Sequence, residues 1–108
     1  METTLTRQIS ATVHGRYLIR SATTDCRGLI IGFHGYGNNA EHLLEETAAI
    51  PGVSDWTLVA VQALHPFYNN KTGEVVASWM TKLDRELAIG ENIRYVSGVV
   101  EQVQEETG

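Results

Sequence analysis

The chain has 108 residues, of which 43% are hydrophobic and 19% charged; this balance excludes a disordered polypeptide and fits one small globular domain or part of a larger one. A formal net charge of -5 without a basic patch argues against nucleic acid and anionic membranes as partners. The single cysteine, Cys26, excludes an internal disulfide framework, and the longest apolar runs are far too short to span a membrane.

The first predicted element is a strand between Ile9 and Ser21. Within it Ile9, Ala11 and Val13 alternate with polar residues, as in a strand that is buried on one face. Gly15 is interpreted as a bend or bulge between two strand pieces.

A parallel pair of buried strands is predicted next. Gly28 to Phe33 and Trp56 to Leu64 are continuous apolar runs, typical of strands that are covered on both faces. Between them we expect a helix with Asn38 as its N-cap, Glu41 as a capping-box-like partner and a stop at Pro51-Gly52. A strand, helix and strand in this order form a βαβ crossover, which joins parallel strands.

The second half of the chain is predicted to contain a loop and a long helix. Residues His65 to Met80 include Pro66, Asn69-Asn70, Gly73 and three aromatic residues, and we expect a long irregular loop there. From Asp84 onward apolar residues recur every three or four positions, which predicts a helix with one buried stripe. The members of this stripe are Ile89, Ile93, Val96, Val100 and Val103.

The segment Gly32-Phe33-His34-Gly35-Tyr36-Gly37-Asn38 follows an apolar strand and precedes a capped helix. In this context it resembles the oxyanion-hole loop of α/β-hydrolases, and the nearest similarity is to the carboxylesterase/phospholipase-like branch. The stretch Ala77 to Thr81 and the long helix after it resemble the same branch. The resemblance extends over about residues 28 to 106 and implies that residues 1–108 are the N-terminal portion of one α/β-hydrolase domain.

The resemblance also implies site residues. The oxyanion-hole donor would be the backbone N–H of Tyr36 or of Gly35 beside it. The side chains of Tyr36, Phe67, Tyr68 and Trp79 would line the acyl pocket, and the substrate would be a small-molecule ester. No cofactor or metal is expected.

The catalytic triad expected of this family is not recognisable in the sequence. No serine lies in a Gly-x-Ser-x-Gly elbow: Ser54 is followed by Asp55, and Ser97 lies inside the predicted helix. The family order is serine, acid and histidine, so all four histidines precede the expected elbow. We therefore expect a segment that is inactive alone.

Two functional interpretations remain open. One is the N-terminal segment of a serine carboxylester hydrolase, and the alternative is a self-contained binding module that reuses half of a hydrolase scaffold. An open sheet edge would favour self-association in either case. The polar start of the chain is unlike a secretory signal, which together with the lone cysteine predicts a cytoplasmic location.

Overall fold

A computed structural model of the chain describes residues 2–23 and 25–107, which form a mixed α/β structure with two small sheets and a long C-terminal helix. The elements in chain order are β1 (Tyr17–Arg20), β2 (Gly28–Phe33), α1 (Ala40–Ala48), a 3-10 turn (Val53–Asp55), β3 (Trp56–Val61), β4 (His65–Tyr68), β5 (Val75–Ser78) and α2 (Arg85–Thr107).

The larger sheet has three strands in the order β1-β3-β2. Strand β3 lies in the middle, parallel to β2 and antiparallel to β1, with Val59 paired to Ile31 on one side and Ile19 on the other. The predicted parallel pair joined by a helix is therefore confirmed. The apolar run of β3 predicted its central place well, because Leu58 to Val61 are all buried.

The predicted strand from Ile9 to Ser21 is wrong over most of its length, since only Tyr17–Arg20 forms a ladder. Ile9 is 94% exposed, so the alternating pattern has no neighbouring strand to pair with. Gly15 is not a bulge within a strand. It lies against the ring of Tyr95, and a Cβ there would overlap the ring carbons of that side chain.

Helix α1 begins one residue later than predicted. Its N-cap is Asn39, whose extended backbone and side-chain oxygen, 2.9 Å from the His42 N–H, satisfy one free donor of the first turn. The side chain of Asn38 instead accepts a hydrogen bond from the Asn39 N–H. Glu41 therefore does not stand in the capping-box position; it forms an ion pair with Arg16 at 2.6 Å.

The predicted irregular loop at 65–80 is also wrong, because β4 and β5 form an antiparallel hairpin in which Phe67 faces Val76. The turn is closed by Asn69, whose carbonyl accepts a hydrogen bond from the Gly73 N–H at 2.8 Å. Gly73 has a φ of 73°, a conformation that favours glycine. Proline, asparagine and glycine in the segment suggested a loop, but they occupy strand-edge and turn positions of the hairpin.

The long helix is confirmed as α2, although its buried stripe is rotated from the predicted one. Val103 of the predicted stripe is buried as expected and packs with Val59 and Val61 in the core. Val99, which the prediction did not include, packs beside it, whereas Ile93 of the predicted stripe is 63% exposed. The inner face of α2 also carries the polar groups of Asn92 and Tyr95, which donate hydrogen bonds to the carbonyls of Trp79 and Gln62. A prediction from apolar periodicity does not include such residues. Within 2–23 and 25–107, no helix has both the length and the apolarity needed to cross a membrane.

Candidate functional site

The loop between β2 and α1, His34 to Asn39, lies where the parallel strands β2 and β3 have their carboxyl ends. Open α/β sheets bind ligands at this edge. Gln62 and Ala63, which follow β3, lie beside the loop. Ala63 is hydrogen-bonded to the loop at His34, and Gln62 is hydrogen-bonded to α1 at Ala40. The loop predicted from sequence to carry function is therefore located at the edge where a ligand site is expected.

His34 is 4% exposed and uses both ring nitrogens within the protein. Its Nε2 lies 3.0 Å from the N–H of Ala63, and its Nδ1 lies 2.7 Å from the carbonyl of Gly35. A backbone N–H can only donate and a carbonyl can only accept, so Nε2 must be the acceptor and Nδ1 must carry the proton. His34 is thus a neutral imidazole that orients the loop.

The carbonyl groups at the start of the loop are also engaged. The His34 carbonyl accepts a hydrogen bond from the Trp79 indole N–H at 2.7 Å. The Gly35 carbonyl accepts one from the Asn38 N–H at 3.2 Å in addition to that from His34. In a trans peptide the carbonyl and the following N–H point in opposite directions, so the N–H groups of Gly35 and Tyr36 face away from these partners.

Two consecutive N–H groups are left without a partner. Among residues 2–23 and 25–107, nothing accepts a hydrogen bond from the N–H of Gly35 or of Tyr36. The next donor is used, because the Gly37 N–H bonds to the Ala77 carbonyl at 3.1 Å. Adjacent free N–H groups in a turn are suited to bind a negatively charged oxygen.

The two glycines of the motif have different roles. Gly37 has a φ of 75°, in the left-handed region where a side chain is unfavourable. A Cβ added to Gly35 would meet no other atom within 4 Å, so packing does not require glycine there.

The four aromatic residues predicted to line a pocket fall into separate groups. The rings of Tyr36 and Phe67 lie together, with centroids 5.4 Å apart. Tyr68 is 70% exposed and, as the neighbour of Phe67 in β4, points to the opposite face of the hairpin. Trp79 packs against His34 instead, with ring centroids 5.5 Å apart. The structure thus brings Tyr36 and Phe67 together beside the loop.

Sequence reasoning missed several residues that hold the loop. Ala77 of β5 bonds to both Gly37 and Asn38 and so ties the hairpin to the loop. Gln62, which is 5% exposed, accepts a hydrogen bond from the Ala40 N–H at 2.7 Å. A glutamine at the end of a buried apolar run was a detectable signal, because such a group needs a partner. Nothing in the identity of Ala77 marked its role.

Other reactive side chains lie apart from this loop. A hydrogen bond with the Thr57 hydroxyl lowers the pKa of the Cys26 thiol, which lies at the opposite end of β2. His42 pairs with Glu74 at 2.8 Å, and this hydrogen bond raises the pKa of the imidazole. Residues 2–23 and 25–107 hold no group of three or more His, Cys, Asp or Glu side chains that could bind a metal.

The fold and the loop together define a mixed α/β structure in which a turn with two free N–H groups lies at the carboxyl edge of a parallel strand pair. In the same described part of the chain, no serine hydroxyl is hydrogen-bonded to a histidine. Comparison with known proteins gives no match: no protein family, no curated protein and no solved structure is significantly similar to the chain.

Proposed function

We propose that this segment supplies the oxyanion-hole loop and part of the acyl pocket of a serine carboxylester hydrolase of the carboxylesterase/phospholipase-like branch of α/β-hydrolases. The observation that supports the proposal is the pair of unpartnered N–H groups at Gly35 and Tyr36. They lie in the motif that resembles the family's oxyanion loop and at the sheet edge where that loop is expected.

The chemistry follows from the charge that develops during acyl transfer. When a serine oxygen attacks an ester carbonyl, the carbonyl oxygen becomes negatively charged in the tetrahedral intermediate. Donors that already point at this oxygen stabilise it by roughly 3–4 kcal/mol each, because they need no reorganisation when the charge appears. Gly35 and Tyr36 would provide one such donor, and the residue after the nucleophile would provide the other.

The aromatic pair beside the loop suggests the class of substrate. Tyr36 is 74% exposed and its ring packs on that of Phe67, so together they offer an apolar surface next to the free N–H groups. An ester with an apolar acyl or aryl group would fit this surface. The serine, histidine and acid of the triad would have to come from outside this segment, which alone should show no triad catalysis.

A binding module is the second candidate, and the open edge of the larger sheet favours it. Strand β2 pairs with β3 on one side only, and Phe33 at its end is 48% exposed. An apolar edge strand readily pairs with another chain. If the isolated segment is a well-behaved monomer or oligomer in size-exclusion chromatography with light scattering, the module gains support. Aggregation or partial unfolding favours the hydrolase segment.

The decisive test is covalent labelling of the protein from its native source with a fluorophosphonate. An activated serine attacks the phosphorus and fluoride leaves, so the label reports the triad directly. We expect a labelled species whose intact mass and peptides include this sequence. If every species that contains the sequence stays unlabelled, the hydrolase proposal fails and the binding module takes its place.

A pair of variants of the enzyme that the label identifies, assayed without the label, then tests the loop itself. Gly35→Pro removes one free N–H, whereas Gly35→Ala keeps it and adds a methyl group where there is open space. If the Gly35 N–H is the donor, the proline variant should lose about 10²–10³-fold in kcat and the alanine variant should stay near the parent. Equal activity in both variants would exclude the Gly35 N–H as the donor and leave Tyr36.

A further inference from the structure

The Trp79 side chain is hydrogen-bonded to the loop and packed against neighbouring rings. Its indole N–H donates to the His34 carbonyl at 2.7 Å. Its ring lies against three others, with centroid distances of 5.5 Å to His34, 5.8 Å to Phe33 and 6.4 Å to Tyr95. The ring contacts restrict the indole to one orientation, and the hydrogen bond gives that orientation a specific partner.

Helix α2 holds Trp79 from the other end. Asn92 donates through Nδ2 to the Trp79 carbonyl at 2.8 Å in a part-buried position. One turn further along, the Tyr95 hydroxyl lies 2.7 Å from the Gln62 carbonyl, at the end of the central strand. The backbone of Trp79 is therefore fastened to α2, which is itself fastened to the sheet.

We propose that Trp79 is a positioning residue of the loop: its indole N–H fixes the His34 carbonyl, and this sets the direction of the Gly35 N–H. The two groups belong to one planar trans peptide, so holding the oxygen on the Trp79 side turns the N–H to the opposite side. Asn92 acts one step further back, because it holds Trp79 in place. The identity of the bound oxyanion rests on the proposed function, but the orientation does not.

Tryptophan is suited to this position because its ring nitrogen is a donor only. Phenylalanine at position 79 would keep an aromatic ring in contact with its neighbours but would leave the His34 carbonyl without its donor. Trp79→Phe therefore separates hydrogen bonding from packing. Phe33→Leu is the matched control, because it removes a ring contact with Trp79 and leaves the indole hydrogen bond in place.

The first measurement uses the unmodified protein, labelled with 15N and 13C: the 108-residue chain if it folds alone, and otherwise the longer species that contains this sequence. We expect a scalar coupling across the hydrogen bond between the Trp79 Nε1 and the His34 carbonyl carbon. The chain has only two tryptophans, so the indole of Trp56 is the internal reference: it should show no coupling to the His34 carbonyl carbon. Absence of the coupling with both resonances assigned would overturn the proposal without any variant that must fold.

The second measurement is the orientation of the Gly35 N–H from residual dipolar couplings. We expect Trp79→Phe to change the coupling of Gly35 while those of the β3 amides stay constant, and Phe33→Leu to leave Gly35 unchanged. If Trp79→Phe leaves the Gly35 coupling at its parent value, Trp79 does not orient the loop. If both variants move it equally, packing and not the hydrogen bond is the cause, and the proposal also fails.

In the hydrolase that the fluorophosphonate identifies, the same variant, measured without the label, has a kinetic signature. Trp79→Phe should lower kcat by about 10–100-fold, less than the loss of a donor itself, with KM nearly unchanged. A variant that raises KM and keeps kcat would make Trp79 a pocket residue only and overturn the positioning role. If the couplings behave as expected but no species is labelled by the fluorophosphonate, the proposed function fails and the positioning of Gly35 stands.

Discussion

Replacing Asn39 by alanine should destabilise the chain markedly, because this side chain makes two structural contacts at once. It is 4% exposed, caps α1 through the His42 N–H at 2.9 Å, and donates through Nδ2 to the Val75 carbonyl at 3.1 Å. The first contact starts the helix and the second ties it to the hairpin.

The expected magnitude is the sum of these two contacts. Loss of an N-cap costs about 1 kcal/mol. Loss of the hydrogen bond to Val75 adds about 1 kcal/mol. For Asn39→Ala we therefore expect a loss of about 2 kcal/mol in the free energy of unfolding, or roughly 8–16 °C in Tm for a domain of this size. Asn39→Ser can still cap the helix but cannot reach Val75, so about half of the loss should remain.

Urea unfolding followed by circular dichroism measures these losses directly. Asn38→Ala is the informative control, because Asn38 is the cap that the sequence pattern predicts but the structure gives its side chain only a bond to the adjacent N–H. Its loss should stay below about 1 kcal/mol. A greater loss for Asn38→Ala than for Asn39→Ala would refute the cap assignment, and an Asn39→Ser variant as unstable as Asn39→Ala would refute the division into two contacts.

Three further predictions concern other parts of the fold. Val103→Ala, at a fully buried core position, should lower the free energy of unfolding by about 2 kcal/mol. Ile93→Ala, on the exposed side of the same helix, should change that free energy by less than about 0.5 kcal/mol. Similar losses for both variants in urea titrations would contradict the burial of α2. Gly37→Ala should cost about 1–2 kcal/mol because of its left-handed φ, and a neutral result in the same titration would contradict that conformation. The hydrogen bond that His42 donates to the Glu74 carboxylate, followed by the charge of Glu74, raises the pKa of His42. The pair therefore stabilises the fold below the unfolded pKa of about 6.5, and this contribution is lost as pH rises through the folded pKa. The urea midpoint relative to His42→Gln should therefore fall as pH rises from below the unfolded pKa of about 6.5 through the raised folded pKa, and Glu74→Gln should abolish this dependence; a difference that is constant with pH would show that the pair does not form.

The parallel core of the fold could be predicted because its signals are local. A continuous apolar run such as β3 has few alternatives to a buried strand, and the glycine-rich turn after β2 marks where a helix must begin. The strand predicted at Ile9 failed for a different reason: alternation describes a chain that could pair, but a ladder needs a neighbour. The hairpin was missed because Pro66 in β4 and Asn69, Asn70 and Gly73 in the turn together have the composition of a loop.

The site divides in the same way between local and distant causes. The motif located the loop, since Gly37 and the neighbouring residues are consecutive in sequence. The hydrogen bonds that orient it come from Ala63, Ala77 and Trp79, which are distant in sequence and of which two have no polar side chain. Any residue type can contribute a backbone hydrogen bond, so the sequence does not indicate these contacts and only the three-dimensional structure shows them.

The free N–H groups are informative because their surroundings are otherwise satisfied. The ring nitrogens of His34, its carbonyl and that of Gly35, and the N–H of Gly37 all have partners, and each partner limits the conformations open to the loop. Gly35 and Tyr36 are exposed, so water can solvate their donors and the arrangement carries no large desolvation penalty. An incoming oxyanion would replace that water without any change in the loop. Donors fixed before the charge appears stabilise it more than donors that must turn to meet it, because the fixed donors need no reorganisation during the reaction.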